Sequence, residues 1–399
     1  MADAASPYRP GTGLEPPYLG DRQRQLEDFR RFVQHPQNPR NVLVTGLRGV
    51  GKTVLLNHYT TLAEMARWAV IEREFSDADS EPSLFARTVL SDLAALTRRL
   101  SLPARLGAAA AELAEGVQDF IGSVSIGYGE VRVSLDPRRP APPPRRLDDD
   151  LREALVRVGG LCRSGAHRGF VLRYDEFQVV RERRGELTVS ALLAAIAGAQ
   201  QHGVPLMLVL CGLPPLVENL SRSKSYSERM FVAERLGNLR PPEDRAALAD
   251  PAVRNGRRFD DDVIDAVIED TGGYPFFLQL YGDTLWSGST GAAITMRDFR
   301  RLRPGILEAL DAGFFEARYQ RAGPVERRIL HAIADQGREE ATTEQVQMRT
   351  GWTNSELQPR LSALLAKGLV YRPARGRIAF TAPMFGAFVR RRGADSNGQ

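Results

Sequence analysis

Cysteine is almost missing from this 399-residue chain: Cys162 and Cys211 stand far apart, each inside an apolar segment. That argues against a disulfide framework and a cysteine-based zinc site, and it suits a reducing, cytoplasmic compartment. A basic start followed by an apolar core is also missing. "MADAASPYRPGTGLEPP" reads as a disordered arm over residues 1–13 and its continuation, not as a secretory signal. No apolar run is long enough to span a bilayer. The most apolar region, Thr188 to Val217, is broken by "QQHG" and by Pro205, Pro214 and Pro215. There is no internal repeat, and no cluster of His and Glu near the C-terminus suggests a metal. The expectation is a soluble protein with no membrane partner.

What is present is an ordinary globular composition, 43% hydrophobic and 26% charged, in a chain long enough for two or three domains. The net charge is +5, and arginine greatly outnumbers lysine. The excess is local. Residues 317–392 hold fourteen Lys and Arg against six Asp and Glu, a net of +8, so the remainder sums to −3.

Strand-like apolar runs at Val42–Thr45, Trp68–Phe75, Phe170–Asp175, Pro205–Cys211 and about Phe231–Leu239 alternate with helical patterns. Such alternation predicts a parallel, doubly wound α/β sheet over about residues 14–241. A short helix carrying Leu26, Phe29 and Val33 should precede it. Between the second and third strands lies an expected insertion at about 104–146. It comprises an alanine-rich helix, a β-hairpin in "SVSIGYGEVRVSL" turning at Gly127 to Gly129, and a proline-rich tether. A helical domain is expected over 242–316, a further domain over 317–392, and a tail over 393–399.

The segment "NVLVTGLRGVGKTVLLNHY" carries Gly46-Leu47-Arg48-Gly49-Val50-Gly51-Lys52-Thr53-Val54 between a strand and a helix. This fits G-x-x-x-x-G-K-[ST] in the context that motif needs. Its glycines let the backbone wrap a polyphosphate and aim N–H groups inward, while the helix N-terminus adds favourable dipole. Lys52 would reach the outer phosphates of a nucleoside triphosphate, and Thr53 would ligate Mg²⁺. A second stretch, "GFVLRYDEFQ", ends a strand in Asp175-Glu176. Downstream of such a loop, Asp175 would hold Mg²⁺ and Glu176 would polarise the attacking water, a pairing that suits hydrolysis of ATP. Arg173, a charge inside that strand, is unexplained by the sequence.

Together, "GLRGVGKT", "VLRYDE", "PLMLVLCG" and "TGGYPFFLQ", followed by a winged-helix pattern, resemble AAA+ and STAND-type ATPases, nearest the initiator-like branch, over about Tyr18 to Arg392. The resemblance implies a helical lid domain and a polar sensor at the end of the fourth strand. Cys211-Gly212 stands there, which departs from the family. It also implies an arginine finger before the last strand, reaching a neighbouring subunit. Arg229 matches the position and Arg222 matches less well; the alternative is an ordinary surface arginine. No second sensor arginine is found in the lid. Gly273 and Pro275 look instead like a Gly-x-Pro element abutting the nucleotide base, which implies a slow switch.

The C-terminal pattern is three helices, two short strands around Arg375-Gly376, and a last helix. In a winged helix the third helix enters a major groove and the wing meets the backbone. Gln358 and Arg360 on that helix and Arg372, Arg375 and Arg377 on the wing are the candidate contacts to double-stranded DNA. Two functions stay open: a nucleotide-gated DNA-binding ATPase that forms a homo-oligomer with nucleotide, or a signalling switch whose winged helix and insertion hold an unknown protein partner.

Overall fold

A computed structural model describes residues 5–101, 108–127, 146–164, 167–182, 188–223, 227–337 and 339–396. The chain divides into two compact units. One comprises Gln23–Gly46 and Leu55–Arg235; the other comprises the segment up to Arg22, Leu47–Val54, and the chain from Leu236 onward.

The first unit contains helix α1 (Gln23–Gln34), strand β1 (Asn41–Gly46), most of helix α2 (Lys52–Met65), β2 (Trp68–Glu74), α3 (Pro82–Ser101) and α4 (Ala108–Gly127). It continues with α5 (Leu147–Ser164), β3 (Gly169–Asp175), α6 (Val189–Gln201), β4 (Leu206–Gly212), α7 (Pro215–Ser223), α8 (Ser227–Met230) and β5 (Phe231–Leu236). The five strands form one sheet in the order β2-β3-β4-β1-β5, with β2, β3, β4 and β1 pairing in parallel. All six residues of β1 and all seven of β4 are buried. A parallel strand covered by helices on both faces reads as a continuous apolar run for this reason. Each such buried Leu or Val side chain contributes about 2 kcal/mol. Because the pairing is parallel, β1, β3 and β4 all end at one edge, where Gly46, Asp175 and Gly212 lie.

Two expectations change here. Ser123–Gly127, read as the first arm of a hairpin, belongs to α4. Val117 and Ile121 are buried and Val124 packs on the same core, a helical spacing that outweighs the local V-x-I alternation. The rest of the proposed hairpin, and the proline tether, lie outside the described residues. The N-terminal arm is not loose from Tyr8 onward. Tyr8 is 3% exposed and donates its hydroxyl to the Leu248 carbonyl, while Arg9 N donates to Gln279 Oε1 at 3.1 Å.

The second unit begins with α9 (Glu243–Arg254), β6 (Arg258–Phe259), α10 (Asp261–Thr271), α11 (Pro275–Gly288), β7 (Ala293–Ile294) and α12 (Met296–Leu310). The two-residue strands β6 and β7 pair in parallel. A π-turn over Asp311–Phe315 leads into α13 (Glu316–Gln320). Then come α14 (Pro324–Ala334), β8 (Glu340–Thr342), α15 (Thr343–Thr350), α16 (Asn354–Ala366), β9 (Val370–Tyr371), β10 (Arg377–Phe380) and α17 (Phe385–Ser396). Strands β8, β10 and β9 form an antiparallel sheet beside the three helices, which is the winged-helix arrangement. Gly351, at φ 74°, closes α15, and a Thr353–Glu356 capping box opens α16.

Candidate nucleotide-binding site

Strand β1 ends at Gly46, and the chain turns through Leu47, Arg48, Gly49, Val50 and Gly51 before α2 starts at Lys52. Gly49 and Gly51 have φ of 80° and 88°, a region that residues with a Cβ avoid. The Lys52 side chain is 7% exposed, and its Nζ donates to the Leu47 carbonyl at 3.0 Å. The ammonium therefore folds back over the turn that its own helix follows. Thr53 sits in the first turn of α2, where unsatisfied N–H groups gather.

Residues far away in sequence hold this loop. Arg22, 4% exposed, donates from Nη2 to the carbonyls of Val50 (3.0 Å) and Gly237 (3.2 Å). Tyr274, fully buried, donates its hydroxyl to the Arg48 carbonyl, and a Cβ on Gly49 would strike that phenol. Burial pushes the Tyr274 hydroxyl up to about 12, so it remains a donor across the physiological range. Gly273, at φ 71°, lies against the Leu239 backbone and accepts from Leu239 N at 2.9 Å, and Pro275 opens α11. A narrow apolar cleft results, lined by Tyr18, Val50, Val54, Leu239, Pro275 and Leu278.

From Tyr274 a row of aromatic rings runs toward the winged helix. Ring centroids lie 4.8 Å apart for Tyr274 and Phe277, 5.9 Å for Phe277 and Phe315, 5.7 Å for Phe315 and Phe385, and 5.3 Å for Phe385 and Phe380. Three of these contacts are edge-on and Phe315–Phe385 is tilted at 30°; packing of this kind fixes ring orientation as well as burying area.

At the edge of the sheet, Asp175 ends β3 and its Oδ1 accepts from Glu176 N at 2.8 Å. Glu176 is left-handed (φ 50°, ψ 28°), a conformation costing a residue of this kind about 1–3 kcal/mol. Its Oε2 accepts from Gln178 Nε2 at 2.7 Å, while Gln178 Oε1 accepts from Leu213 N at 2.9 Å. Gln178 thus ties the carboxylate to the end of β4. Cys211 is 0% exposed within β4, and a Cβ on Gly212 would meet the Gln178 amide. The polar group beside Glu176 comes from the turn after β3. The charge at Arg173 has its reason too: register sets it opposite Glu72, with Nη2 2.9 Å from Glu72 Oε2 and Nη1 3.0 Å from Asn57 Oδ1.

Residues 20–209 match the family model described as an AAA ATPase domain. The core is an AAA-type P-loop ATPase domain. Residues 312–389 match a family described as a domain of unknown function (DUF8462). Among solved structures, a Walker-type ATPase of Pyrococcus abyssi is similar at 17% identity and a TM-score of 0.57, over 93% of this chain and 96% of that one. The ORC1 protein of Aeropyrum pernix, solved with DNA, gives 15% identity and 0.45 over 96% of each chain. Cdc6p of Pyrobaculum aerophilum gives 15% and 0.42 over 97% of each. No curated protein matches the chain.

Outside the loop, the AAA core presents Arg229 at the end of α8, exposed and without an ion pair to any described residue; Arg222 pairs with Glu218 at 2.7 Å. In the winged helix, Arg372 Nη2 donates to Gln358 Oε1 at 2.8 Å, linking wing and third helix. Arg360 lies 4.7 Å over the Trp352 ring and donates to the Glu356 carbonyl, and Arg377 pairs with Glu340. Arg375 is exposed at the turn of the wing. Among the described residues no helix is long and apolar enough to cross a membrane.

Gln178, Arg22 and Tyr274 are absent from the residues chosen by sequence. Only the "DEFQ" spacing offered a local sign of the first. Nothing near Arg22 or Tyr274 announces that the loop is their partner.

Proposed function

We propose that the chain is an ATP-hydrolysing switch whose nucleotide state sets how the winged helix engages duplex DNA. The observation that carries this reading is the row of rings from Tyr274, bonded at the loop, to Phe385 and Phe380 in the C-terminal domain. A packed row of this kind has few intermediate arrangements, so a shift at one end favours a shift at the other. The assignments are a core over 14–241, a lid over 242–316 and a winged helix over 317–392.

In this scheme the backbone of Gly46–Val54 cradles the phosphates, Lys52 neutralises the outer ones, and Gly273 and Pro275 bound the base. Glu176 accepts a proton from the water that attacks the terminal phosphorus; the bridging P–O bond breaks, and ADP and phosphate leave. Gln178 fixes which way the Glu176 carboxylate faces. The donors expected for Mg²⁺, the Thr53 hydroxyl and the Asp175 carboxylate, are all oxygen. Among the described residues no group of three or more His, Cys, Asp or Glu could hold a metal. A hard ion that takes most of its ligands from phosphate and water suits that set. When bound, it supplies positive charge to the phosphate oxygens. Arg229 would reach the nucleotide of a neighbouring subunit, which makes turnover depend on assembly.

On the C-terminal domain, Arg372, Arg375 and Arg377 would meet the phosphate backbone, and Gln358 and Arg360 the base edges. A second reading, a winged helix that holds a protein, is favoured by the internal engagement of Arg360, Arg377 and Lys367. Fluorescence anisotropy of the Glu176→Gln chain with duplex DNA separates them. The proposal expects different affinities with ATP and ADP, and a salt dependence that falls by about one unit of slope per wing arginine removed. Weak binding that neither nucleotide nor wing changes would favour the protein partner.

A further inference from the structure

A cleft of about 410 Å³ opens where β2 and β3 begin, lined by Glu64, Arg67, Trp68, Arg99 and His167. Register pairs Trp68 with Gly169, and β3 runs on from there to Asp175, so the cleft lies ~20 Å along the strand from the carboxylates at its far end. Arg67, between α2 and β2, has φ 62°, a conformation that glycine adopts freely and a residue with a Cβ avoids. Two backbone bonds hold that turn, from Arg67 N to the Glu64 carbonyl (2.9 Å) and from Arg168 N to the Arg67 carbonyl (2.8 Å). An exposed arginine thus stands where the backbone favours glycine. It has no ion pair to any described residue. Arg99 donates from Nη1 to the Val70 carbonyl at 2.7 Å and from Nη2 to Glu64 Oε1 at 2.6 Å. Glu64, the one lining charge that opposes an anion, is therefore already matched. The indole N–H of buried Trp68 goes to the Val33 carbonyl at 2.8 Å. His167 Nδ1 is buried with no hydrogen-bond partner among the described residues. A half-turn of the ring exchanges that nitrogen with Cδ2, so the imidazole can present a donor to the cleft without losing a bond at Nδ1. Burial, Arg99 and Arg67 together hold the imidazole below the usual histidine value.

We propose that this cleft is a second anion site, which binds a phosphate dianion on Arg67, Arg99 and the protonated His167 imidazole. Charge sets the class of ligand. The three cations against Glu64 leave +2, which a phosphate group near −2 at neutral pH cancels and a single carboxylate only halves. The planar guanidinium of Arg67 suits phosphate oxygens, and binding would draw a proton onto His167 because the anion offsets the two arginines that now oppose it. Free phosphate and the phosphate of a larger molecule share this chemistry, and the cleft has room for a group attached to it. The nucleotide loop takes no part, so the site stands whether or not the chain hydrolyses ATP.

The test follows His167 by NMR in the full chain with its five histidines labelled, the resonance being identified by its loss in His167→Gln. The chain carries Lys52→Ala, so that the nucleotide loop does not hold the probe. Inorganic phosphate and glucose 6-phosphate are each compared with chloride at equal ionic strength. The expected result is a rise of about one unit in the His167 pKa. A rise with inorganic phosphate alone supports a site for the free ion, and a rise with the sugar phosphate supports a site for a phosphate carried on a larger molecule. Arg67→Gly should abolish the rise and leave the melting temperature without ligand unchanged or higher, because glycine relieves the turn. Arg67→Lys should keep part of the rise. No rise with either probe, a rise that survives Arg67→Gly, an equal rise with acetate, or a lowered melting temperature in Arg67→Gly would overturn the proposal.

Discussion

Two arginine-rich regions of the second unit hold their charge in opposite ways. Beside the P-loop, the Arg318 guanidinium is drawn down by burial and by Arg321 and Arg48, and its Nη1 has no hydrogen-bond partner among the described residues. In the winged helix, Arg349 pairs with Asp335, Arg377 with Glu340, Lys367 with Glu326, Arg391 with Asp311 and Arg392 with Glu316. Five of the fourteen basic residues of 317–392 are thus held by acids on or next to the domain, and the exposed Arg372 and Arg375 of the wing are not among those five. Net charge in a stretch of sequence measures what is present, and pairing decides what a ligand can use. On this account the cations beside the loop serve a polyphosphate, and the wing arginines make a weaker, salt-sensitive contact.

Substitutions that break this contrast should differ widely in size. Lys52→Ala should abolish ATP binding, because the loop loses its cation; calorimetry checks it, and wild-type affinity would remove the P-loop assignment. Arg229→Ala should leave ATP binding intact and lower hydrolysis about a thousandfold, as for other arginines supplied across an interface. Mixing it with Lys52→Ala, which still offers its own Arg229, should restore part of the rate in a phosphate-release assay. Glu176→Gln should lower turnover about a hundredfold or more while ATP·Mg²⁺ stays bound. The smallest effect is expected at the wing. Arg375→Ala should weaken duplex DNA only about twofold at moderate salt and flatten the salt slope by about one unit, equally for all DNA sequences.

The sheet and the loop were legible in the sequence because their signals are local. A buried parallel strand such as β4 must be apolar throughout, and a phosphate loop must place Gly49, Gly51, Lys52 and Thr53 within a few residues. Site features that need distant segments were not legible. Tyr274 reads as an aromatic core residue until its hydroxyl is found on the Arg48 carbonyl, and Arg318 reads as one arginine among many until its unpaired Nη1 is seen. Arg173 was an anomaly only while its partner Glu72, on the neighbouring strand, was unknown. The segment Ser123–Gly127 misled in the opposite direction. Its alternation suits a strand, but Val117 and Ile121 before it set a helical spacing that the core enforces. Tyr8 shows the same limit, since one aromatic ring anchors an otherwise loop-like arm.

The central claim is that the third phosphate is felt in the C-terminal domain through Tyr274 and the rings behind it. Hydrogen exchange of the Glu176→Gln chain, compared between saturating ATP and saturating ADP, tests this without any assumption about DNA. The account predicts different protection in α14 and α17 in the two states, with the difference lost in Tyr274→Phe although both nucleotides still bind. Identical exchange across residues 324–396 with ATP and ADP, alongside a clear difference at the loop itself, would contradict it.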